Sequence, residues 1–321
     1  MECYANSDKR YAIILAGGDG NRLSSLTCKI SGQQIPKQFC NLMGETAMLE
    51  QTCQRVSLSV RPKRIFVVLN RAHERFYAQL FDDTSAQNLV IQPCNRDTAP
   101  AILYSLLRLA QVDRSATVAV FPCDHYVSDD QRFMRHVDLA FAAVSSQPEL
   151  AVLLGITPDG PETDYGWIEA GPTHGWIEAG PALGSDLRPV FAVSRFWEKP
   201  SFGFAGSLWR RGCLWNSSVI VAQLPALLDL IQTALPELFV AFGAIAPALG
   251  TGFEGQAVDV LYANLRARNF SRDVLTDHTS ALAVLPVCGV EWSDLGDPHR
   301  VMSTLAQLGL QPAWKDKADV A

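Results

Sequence analysis

Continuous runs of apolar residues recur through the first half of the chain. They cover residues 11–16, 64–69, 88–93, 116–122 and 150–156, which read YAIILA, RIFVVL, NLVIQP, ATVAVFP and LAVLLGI. Apolar runs of this length without polar alternation are typical of strands that are buried on both faces of a sheet.

Helical patterns lie between these runs. Phe133, Val137, Phe141 and Val144 are spaced so that they share one face of a helix. A second helix is predicted to begin at Thr98, since a capping residue stands there with a proline two positions later. The alternation of strands and helices predicts an α/β fold with a doubly wound, Rossmann-like sheet.

The rhythm changes after residue 157. Glycine and proline cluster over 158–189, and strand-like runs follow at 190–200 and 214–222. We interpret this part as a mixed-sheet half that continues the parallel half in one fold, because no long polar linker separates the two. Residues 1–10 and 311–321 are predicted to be tails.

Composition narrows the class of protein. The chain has 321 residues and a net charge of −6, which argues against nucleic acid as a main partner. The polar start carries no signal-peptide pattern, and none of the eight cysteines forms a CxxC pair, so a cytoplasmic protein is predicted. The longest apolar run, 238–250, is too short for a bilayer and predicts a buried helix rather than a membrane contact.

A glycine-rich turn follows the first predicted strand in the segment LAGGDGNRL (15–23). Gly17, Gly18 and Gly20 would let backbone N–H groups approach an anionic ligand. The dinucleotide pattern GxGxxG fails at Leu23, and the chain contains no Gly-Lys pair, which excludes a P-loop. The alternatives are an ordinary tight turn here and solvated surface charge at the nearby basic residues.

Eight motifs in order resemble the sugar-1-phosphate nucleotidyltransferases, and within them the mannose-1-phosphate guanylyltransferases. They are LAGGDGNRL, PKQF (36–39), QPCNRDTAPAI (92–102), FPCDH (121–125), TDYGWIE (163–169), FWEKP (196–200), LWNSS (214–218) and WSDLG (292–296). The resemblance implies the nucleotide-diphospho-sugar transferase fold over 11–310, with a nucleotide-binding half at 11–157 and a sugar-phosphate-binding half at 158–310. It departs from the family pattern at Asn21 and Ser25 and in a longer segment before Lys37.

The same resemblance implies a reaction. An oxygen of mannose-1-phosphate would attack the α-phosphorus of GTP with the help of Mg²⁺, giving GDP-mannose and pyrophosphate. Such transfers depend on positioning and charge neutralisation. The implied catalytic residues are Arg22, Lys37, Asp124 and Lys199, and the implied Mg²⁺ ligands are Asp124 and Asp294.

Helix capping is the alternative for both aspartates. However, the next helices already have caps, at Ser128 or Asp129 for one and at Asp297, followed by Pro298, for the other. Neither Asp124 nor Asp294 is therefore needed as a helix cap, which favours the metal role for both.

The resemblance also implies the binding residues. Nucleotide contacts fall on Leu15, Ala16, Gly17, Gly18, Gly20, Gln92, Arg96, Asp97 and Thr98. Asp97 and Arg96 would read the base edge, with Gln92 as the alternative, and capping of the following helix by Asp97 or Thr98 stays open. Sugar-phosphate contacts fall on Gly166, Glu169, Glu198, Lys199 and Asn216.

Other functions stay open at this level. One is a nucleotidyltransferase for another nucleoside triphosphate and another sugar-1-phosphate, and a second is a catalytically silent regulatory homologue that binds nucleotide sugars. The sequence does not fix the oligomeric state, and a homodimer is kept as an open alternative.

A tandem repeat begins within the fifth of these eight motifs. GWIEAGP occurs at 166–172 and again at 175–181, and deleting 166–174 or 173–181 leaves the same sequence. Only the first copy follows Tyr165, which favours Glu169 over Glu178 as the site residue. A turn is predicted at 171–175, so that the second copy folds back or loops out as a tolerated insertion.

Overall fold

The computed structural model describes residues 9–81, 88–178, 187–312 and 314–315. Strands in these ranges are β1 (Arg10–Leu15), β2 (Ile65–Asn70), β3 (Leu89–Gln92), β4 (Thr117–Pro122), β5 (Tyr126–Val127), β6 (Ala151–Ile156), β7 (Gly166–Glu178), β8 (Leu187–Glu198), β9 (Leu214–Gln223), β10 (Leu282–Val287) and β11 (Trp292–Ser293). The α-helices are α1 (Ser24–Ser31), α2 (Met48–Val56), α3 (Glu74–Tyr77), α4 (Thr98–Val112), α5 (Asp130–Ser146), α6 (Phe202–Arg210), α7 (Leu224–Ala234), α8 (Pro236–Ile245), α9 (Glu254–Asn264) and α10 (Pro298–Gln307).

Nine of the described strands form one mixed sheet in the order β3-β2-β1-β4-β9-β6-β10-β8-β7. The strands β3, β2, β1 and β4 run parallel, whereas β9 lies antiparallel to both β4 and β6. The predicted mixed α/β sheet is therefore confirmed. The antiparallel β9 of the second half lies between β4 and β6 of the first half, so strands of both halves are interleaved within a single sheet.

The apolar runs arise because β1 and its neighbours are covered on both faces. Along β1, Ala12 and Ile14 pack into one core with residues of α2 and α5. Tyr11 and Ile13 alternate with them and pack into a second core with residues of α4, α7, α8 and α9. Since successive side chains of a strand point to opposite faces, two buried faces require an unbroken apolar run.

A smaller third core supports the end of the molecule where the candidate residues cluster. Leu23 and Leu26 pack there with Leu295, with Val301 of α10 and with apolar residues of the segment 40–48. Close by, β5 and β11 form a separate two-stranded antiparallel sheet, with Val127 opposite Trp292. This small sheet brings the chain segments after β4 and after β10 together.

The repeated segment forms a strand and not the predicted turn. β7 runs continuously from Gly166 to Glu178 and pairs with β8 over 166–170, at Thr173 and over 175–178. The register shifts near Ala170 and Thr173 absorb the irregular part, and the first copy also pairs with β9 at Trp167 and Ile168. The prediction of a fold-back was wrong, because hydrogen bonding to β8 outweighs the local preference of glycine and proline for turns.

The apolar run at 238–250 is only partly buried. Leu238, Phe242 and Leu249 face the core, but Val240 is 72% exposed, so the predicted buried helix is amphipathic. No helix in the described ranges is by itself long and apolar enough to cross a bilayer. The segments 224–234 and 236–248 meet that test only as a pair, and they are bent by 120°.

His125 packs where the main sheet meets the small sheet. Its ring lies edge-on to Trp292, with 5.0 Å between centroids, and its Nδ1 atom is buried without a hydrogen-bond partner among the described residues. Burial lowers the pKa of His125 to about 4, against the opposing effect of the neighbouring Asp124 carboxylate. The imidazole is therefore neutral at pH 7.

We expect removal of residues 173–181 to leave the fold intact. The pairing that carries the buried Trp167 and Ile168 lies in the retained copy, so the free energy of unfolding should fall by about 1 kcal/mol or less. Trp167→Ala should instead cost about 3–5 kcal/mol, because this fully buried ring would leave a cavity. Urea denaturation of both variants checks this. A deletion as costly as Trp167→Ala would show that the second copy is structural.

We also expect a pH dependence that comes from His125. The unfolded state binds this proton below about pH 6.5 and the folded state only near pH 4, so stability should fall as the pH drops through that window, by about 3 kcal/mol at most. In His125→Gln this part of the loss should disappear. Denaturation between pH 4.5 and 7 measures it, with the exposed His299→Gln as the control. Identical profiles for wild type and His125→Gln would contradict the assignment.

Candidate active site

A cavity of about 620 Å³ opens at the carboxyl ends of the parallel strands β1, β3 and β4. This is the position at which open α/β sheets bind ligands. Its lining includes eight predicted site residues, which are Leu15, Gly17, Gly18, Gly20, Gln92, Asp97, Thr98 and Asp124. The sequence did not single out Gln38, Asn95, Ser218 and Ala267, which line it as well.

Gln38 holds the glycine-rich loop in shape. Its buried amide nitrogen donates to the carbonyl oxygens of Ala16 at 2.9 Å and Gly18 at 2.7 Å. Ala16 is itself fully buried beneath the loop, whereas a side chain at Gly18 would meet no atom within 4 Å. The loop is therefore a fixed cradle, and Gly18 lies on its open side.

Gln92 lies against this cradle, and a hydrogen bond from Tyr262 fixes its side-chain amide. Its Oε1 accepts a hydrogen bond of 3.0 Å from the Tyr262 hydroxyl, and a Cβ at Gly17 would come within 2.5 Å of its Nε2. Burial raises the pKa of Tyr262 well above its usual range, so the hydroxyl keeps its proton. Glycine is needed at position 17 because any larger residue would displace the Gln92 amide.

Asp97 caps helix α4, which was the open alternative. Its Oδ1 accepts from the Thr98 amide at 2.8 Å and from Asn269 Nδ2 at 3.1 Å. Asp97 also lines the cavity and has a left-handed backbone, with φ of 67°. A non-glycine residue in that region is strained, so the surrounding contacts must impose the conformation.

Arg96 is directed away from the cavity. Its Nε and Nη2 atoms donate to the carbonyl oxygen of Tyr262 at 3.2 and 3.0 Å, near the end of α9. The amide of Arg268 in turn donates to the Arg96 carbonyl oxygen at 3.1 Å. The structure therefore uses the Arg96 guanidinium to fasten the segment 262–270, which forms a wall of the cavity through Ala267. No motif in the sequence had marked this wall.

Lys37 connects the two predicted metal ligands. Its side chain is 7% exposed, and its Nζ lies 3.2 Å from Asp124 Oδ2 and donates to the main-chain carbonyl oxygen of Asp294. Asp124 follows β4 and Asp294 follows β11, so the small sheet brings the two chain segments to one ammonium.

Both aspartates are ionised at neutral pH. Burial raises the pKa of Asp124, but Lys37 outweighs it together with His125, which is protonated at the acid pH where the carboxyl group titrates, and the net pKa lies below the ordinary value. Burial likewise raises the pKa of Asp294, and His125, Arg300 and Lys37 together lower it further than burial raises it. The site therefore offers two carboxylates under the field of a buried cation.

Helix capping, the alternative role, does not hold for these two residues. Asp129 caps α5 by accepting from the Arg132 amide at 2.8 Å, and Asp297 caps α10 by accepting from the Arg300 amide at 2.9 Å. Among the described residues no group of three or more His, Cys, Asp or Glu side chains is arranged to hold a metal ion. Two carboxylates fit Mg²⁺, which takes most of its remaining ligands from substrate and water.

Three of the sugar-side candidates come together. Gly166 stands opposite Glu198 in the β7–β8 ladder, and a Cβ at Gly166 would lie 3.0 Å from Glu198 Oε2 and 3.2 Å from Asn216 Cβ. Burial raises the pKa of Glu198, with Lys199 and Arg272 acting against it. Lys199 follows with an exposed side chain and a left-handed φ of 49°.

Two predicted residues lie apart from these groups. Glu169 is three residues beyond Gly166, so its side chain leaves the opposite face of β7, where it forms an ion pair with Arg211. Arg22 is exposed in the turn Asn21–Leu23 and is not among the cavity-lining residues. The structure does not bring Glu169 to the sugar-side group.

The chain is similar to known proteins along most of its length. The sequence profile of the family described as "Nucleotidyl transferase" matches residues 11–308. The xanthan biosynthesis protein XanB of Xanthomonas campestris pv. campestris is 31% identical over 306 residues, which cover 92% of this chain and 60% of that protein. A mannose-1-phosphate guanylyltransferase of Escherichia coli is 27% identical over 289 residues, covering 88% and 57%. The chain thus spans about three fifths of the length of these relatives.

Solved structures share the fold. The crystal structure of mannose-1-phosphate geranyltransferase from Thermus thermophilus superposes with a TM-score of 0.74 at 28% identity, covering 92% of this chain and 79% of that one. Mannose-6-phosphate isomerase from Helicobacter pylori superposes with a TM-score of 0.65 at 20% identity, covering 89% and 99%, and shows the fold alone. With a family profile that spans nearly all of the described fold, this chain belongs to the nucleotidyl transferase family.

Proposed function

We propose that this protein transfers the guanylyl group of GTP to mannose-1-phosphate, which gives GDP-mannose and pyrophosphate. The observation that carries the proposal is the buried Lys37 ammonium between Asp124 and the Asp294 segment, at a cavity with a glycine-rich cradle. The relatives named as mannose-1-phosphate guanylyltransferases support the choice of substrates.

The nucleotide is proposed to occupy the cavity formed by the cradle and the 262–270 wall. Its phosphates would lie along the open side of Gly18, where backbone N–H groups of the cradle could meet an anion. The base would lie toward Gln92 and Asp97. The Gln92 amide can donate a hydrogen bond through its nitrogen, and the Asp97 carboxylate can accept one. Such a pair can recognise a base edge that carries both donors and acceptors, as guanine does.

The sugar phosphate is proposed to bind at the junction of β7, β8 and β9. Glu198 and Asn216 would supply acceptors and a donor for hydroxyl groups beside Gly166, where any side chain would collide with both of them. Lys199 would hold the phosphate of this substrate. Lys199 lowers the pKa of Glu198 and Asp97 raises it, so both charged groups lie near this carboxyl group. Since Asp97 lines the nucleotide cavity, this supports the proximity of the two substrate positions.

The reaction then needs alignment and charge compensation. A phosphate oxygen of the sugar-1-phosphate attacks the α-phosphorus, the bond from that phosphorus to the bridging oxygen of the β-phosphate breaks, and pyrophosphate leaves with the electron pair. Lys37, together with Arg22 at the end of the loop, would neutralise charge that develops on the triphosphate. Mg²⁺, held by Asp124 and Asp294, would supply further neutralisation of the phosphate oxygens.

Substrate selection is tested by measuring pyrophosphate release with Mg²⁺ over a grid of nucleoside triphosphates and sugar-1-phosphates. We expect the highest kcat/KM for GTP with mannose-1-phosphate. A higher value for another pair would refute the substrate assignment and keep the reaction. No release with any pair would refute the enzyme and favour the regulatory homologue.

Replacement of Lys37 by methionine tests the chemical core of the proposal. The aliphatic stem is kept and the ammonium is lost, so turnover should fall by about 10²–10³. Lys29→Met, which changes an exposed lysine of α1, is the matched control and should behave as wild type. Thermal unfolding separates lost chemistry from lost fold. A well-folded Lys37→Met with near-normal turnover would contradict the role of Lys37.

A further inference from the structure

We propose that Arg300 is a positioning residue that holds Asp294 so that one defined carboxylate oxygen faces the divalent cation. The inference rests on the proposed function and extends it to a residue outside the motifs described above. Arg300 lies in the first turn of α10, six positions after Asp294.

The two oxygens of Asp294 have different surroundings. Oδ1 accepts three hydrogen bonds, from Arg300 Nη1 at 2.7 Å, the Gly296 amide at 2.8 Å and the Tyr165 hydroxyl at 3.3 Å. Oδ2 accepts no hydrogen bond from any residue that the structure describes. An oxygen with three donors has no capacity left for a cation, so Oδ2 is the one available as a ligand.

Arg300 is itself held in place from several directions. Its Nη2 donates to Glu162 Oε2 at 2.8 Å and lies 3.5 Å from Asp164 Oδ2. The guanidinium also lies over the Tyr165 ring, 4.7 Å from the centroid, and the side chain is 14% exposed. The planar guanidinium therefore has little freedom, and it transfers this rigidity to the Asp294 carboxylate.

Glycine at position 296 is part of the same arrangement. A Cβ there would lie 2.6 Å from Asp294 Oδ2 and 3.0 Å from Arg300 Nη1. Only glycine leaves room for the carboxylate and the guanidinium to meet in this geometry. The groups that contact a metal ligand commonly set its orientation, and their loss typically lowers metal affinity by about 10–100-fold.

Without Arg300, the Asp294 carboxylate can rotate about its side-chain bonds, and the carboxylates of Glu162 and Asp164 lose their shared counter-charge. We expect the rotational freedom to dominate, so that affinity for the cation falls although a positive charge has been removed. This sign distinguishes orientation from simple repulsion, because repulsion alone predicts tighter binding when Arg300 is lost.

The experiment measures the dissociation constant of Mn²⁺, used in place of Mg²⁺, by electron paramagnetic resonance on the purified full chain. Arg300→Met keeps the aliphatic stem and should raise this constant by about 10–100-fold. Arg300→Lys should fall between Arg300→Met and wild type, since an ammonium can donate to Asp294 but lacks the fork that also reaches Glu162. Tyr165→Phe removes one donor to Oδ1 with no change of charge and should cause a smaller loss.

Arg108→Met is the matched control. Arg108 forms an ion pair of 2.6 Å with Glu254, and both side chains are 12% exposed, so its loss should cost similar stability. It lies seven residues along α4 from the cavity-lining Ala101, about 10 Å along the helix from the cavity. The affinity of the Arg108→Met protein for Mn²⁺ should equal that of wild type.

Two outcomes overturn the inference. Unchanged or tighter Mn²⁺ binding by folded Arg300→Met would show that Arg300 does not position the ligand, and an equal loss in Arg108→Met would assign the effect to stability. The proposed function fails separately. In that case wild type would bind Mn²⁺ no more tightly than Asp124→Ala and would release no pyrophosphate with any substrate pair.

Discussion

The buried ammonium of Lys37 is the interaction on which the candidate site depends. Two carboxylates that follow β4 and β11 are ionised although Asp124 is only 32% and Asp294 only 14% exposed, so their mutual repulsion and partial loss of hydration oppose the arrangement. Lys37 compensates one of them directly and ties the main chain of the other. Arg300 compensates Asp294 from the other side. The result is a site in which two ionised carboxylates are each balanced by a cationic side chain.

A second constraint is the contact between the loop 95–98 and the segment 262–270. Arg96, Asp97 and Thr98 form hydrogen bonds to Tyr262, Asn269 and Phe270. The polar residues of this motif therefore build the wall of the cavity as well as face it. A residue of the motif can thus contribute to the site by fixing a neighbouring element. The hydrogen bond between Gln92 and Tyr262, which connects the end of β3 to α9, is the clearest case.

The repeated segment shows how a duplication enters a sheet. Beyond Ile168, β7 pairs only with β8 and lies at the edge of the main sheet, and no pairing with β8 occurs at Gly171 or Pro172, where the register shifts. Proline is tolerated there since an edge strand has backbone groups that need not join a ladder. The first copy is tied to both β8 and β9, which is why the fold depends on Trp167 and Ile168.

The sequence by itself determined the features that depend on near neighbours in the chain. The apolar runs predicted the parallel strands, the caps at Asp129 and Asp297 predicted the starts of α5 and α10, and the ordered motifs predicted which segments meet. Only the tertiary structure decided which side chains point into the site. Arg96 turns away, and Glu169 leaves the other face of β7. Arg300 and Tyr262 contribute from outside the motifs, and Gln38 of the PKQF motif holds the glycine-rich loop although no role was predicted for it. These contacts join residues far apart in the chain, so they follow from strand order and register, which local patterns do not encode.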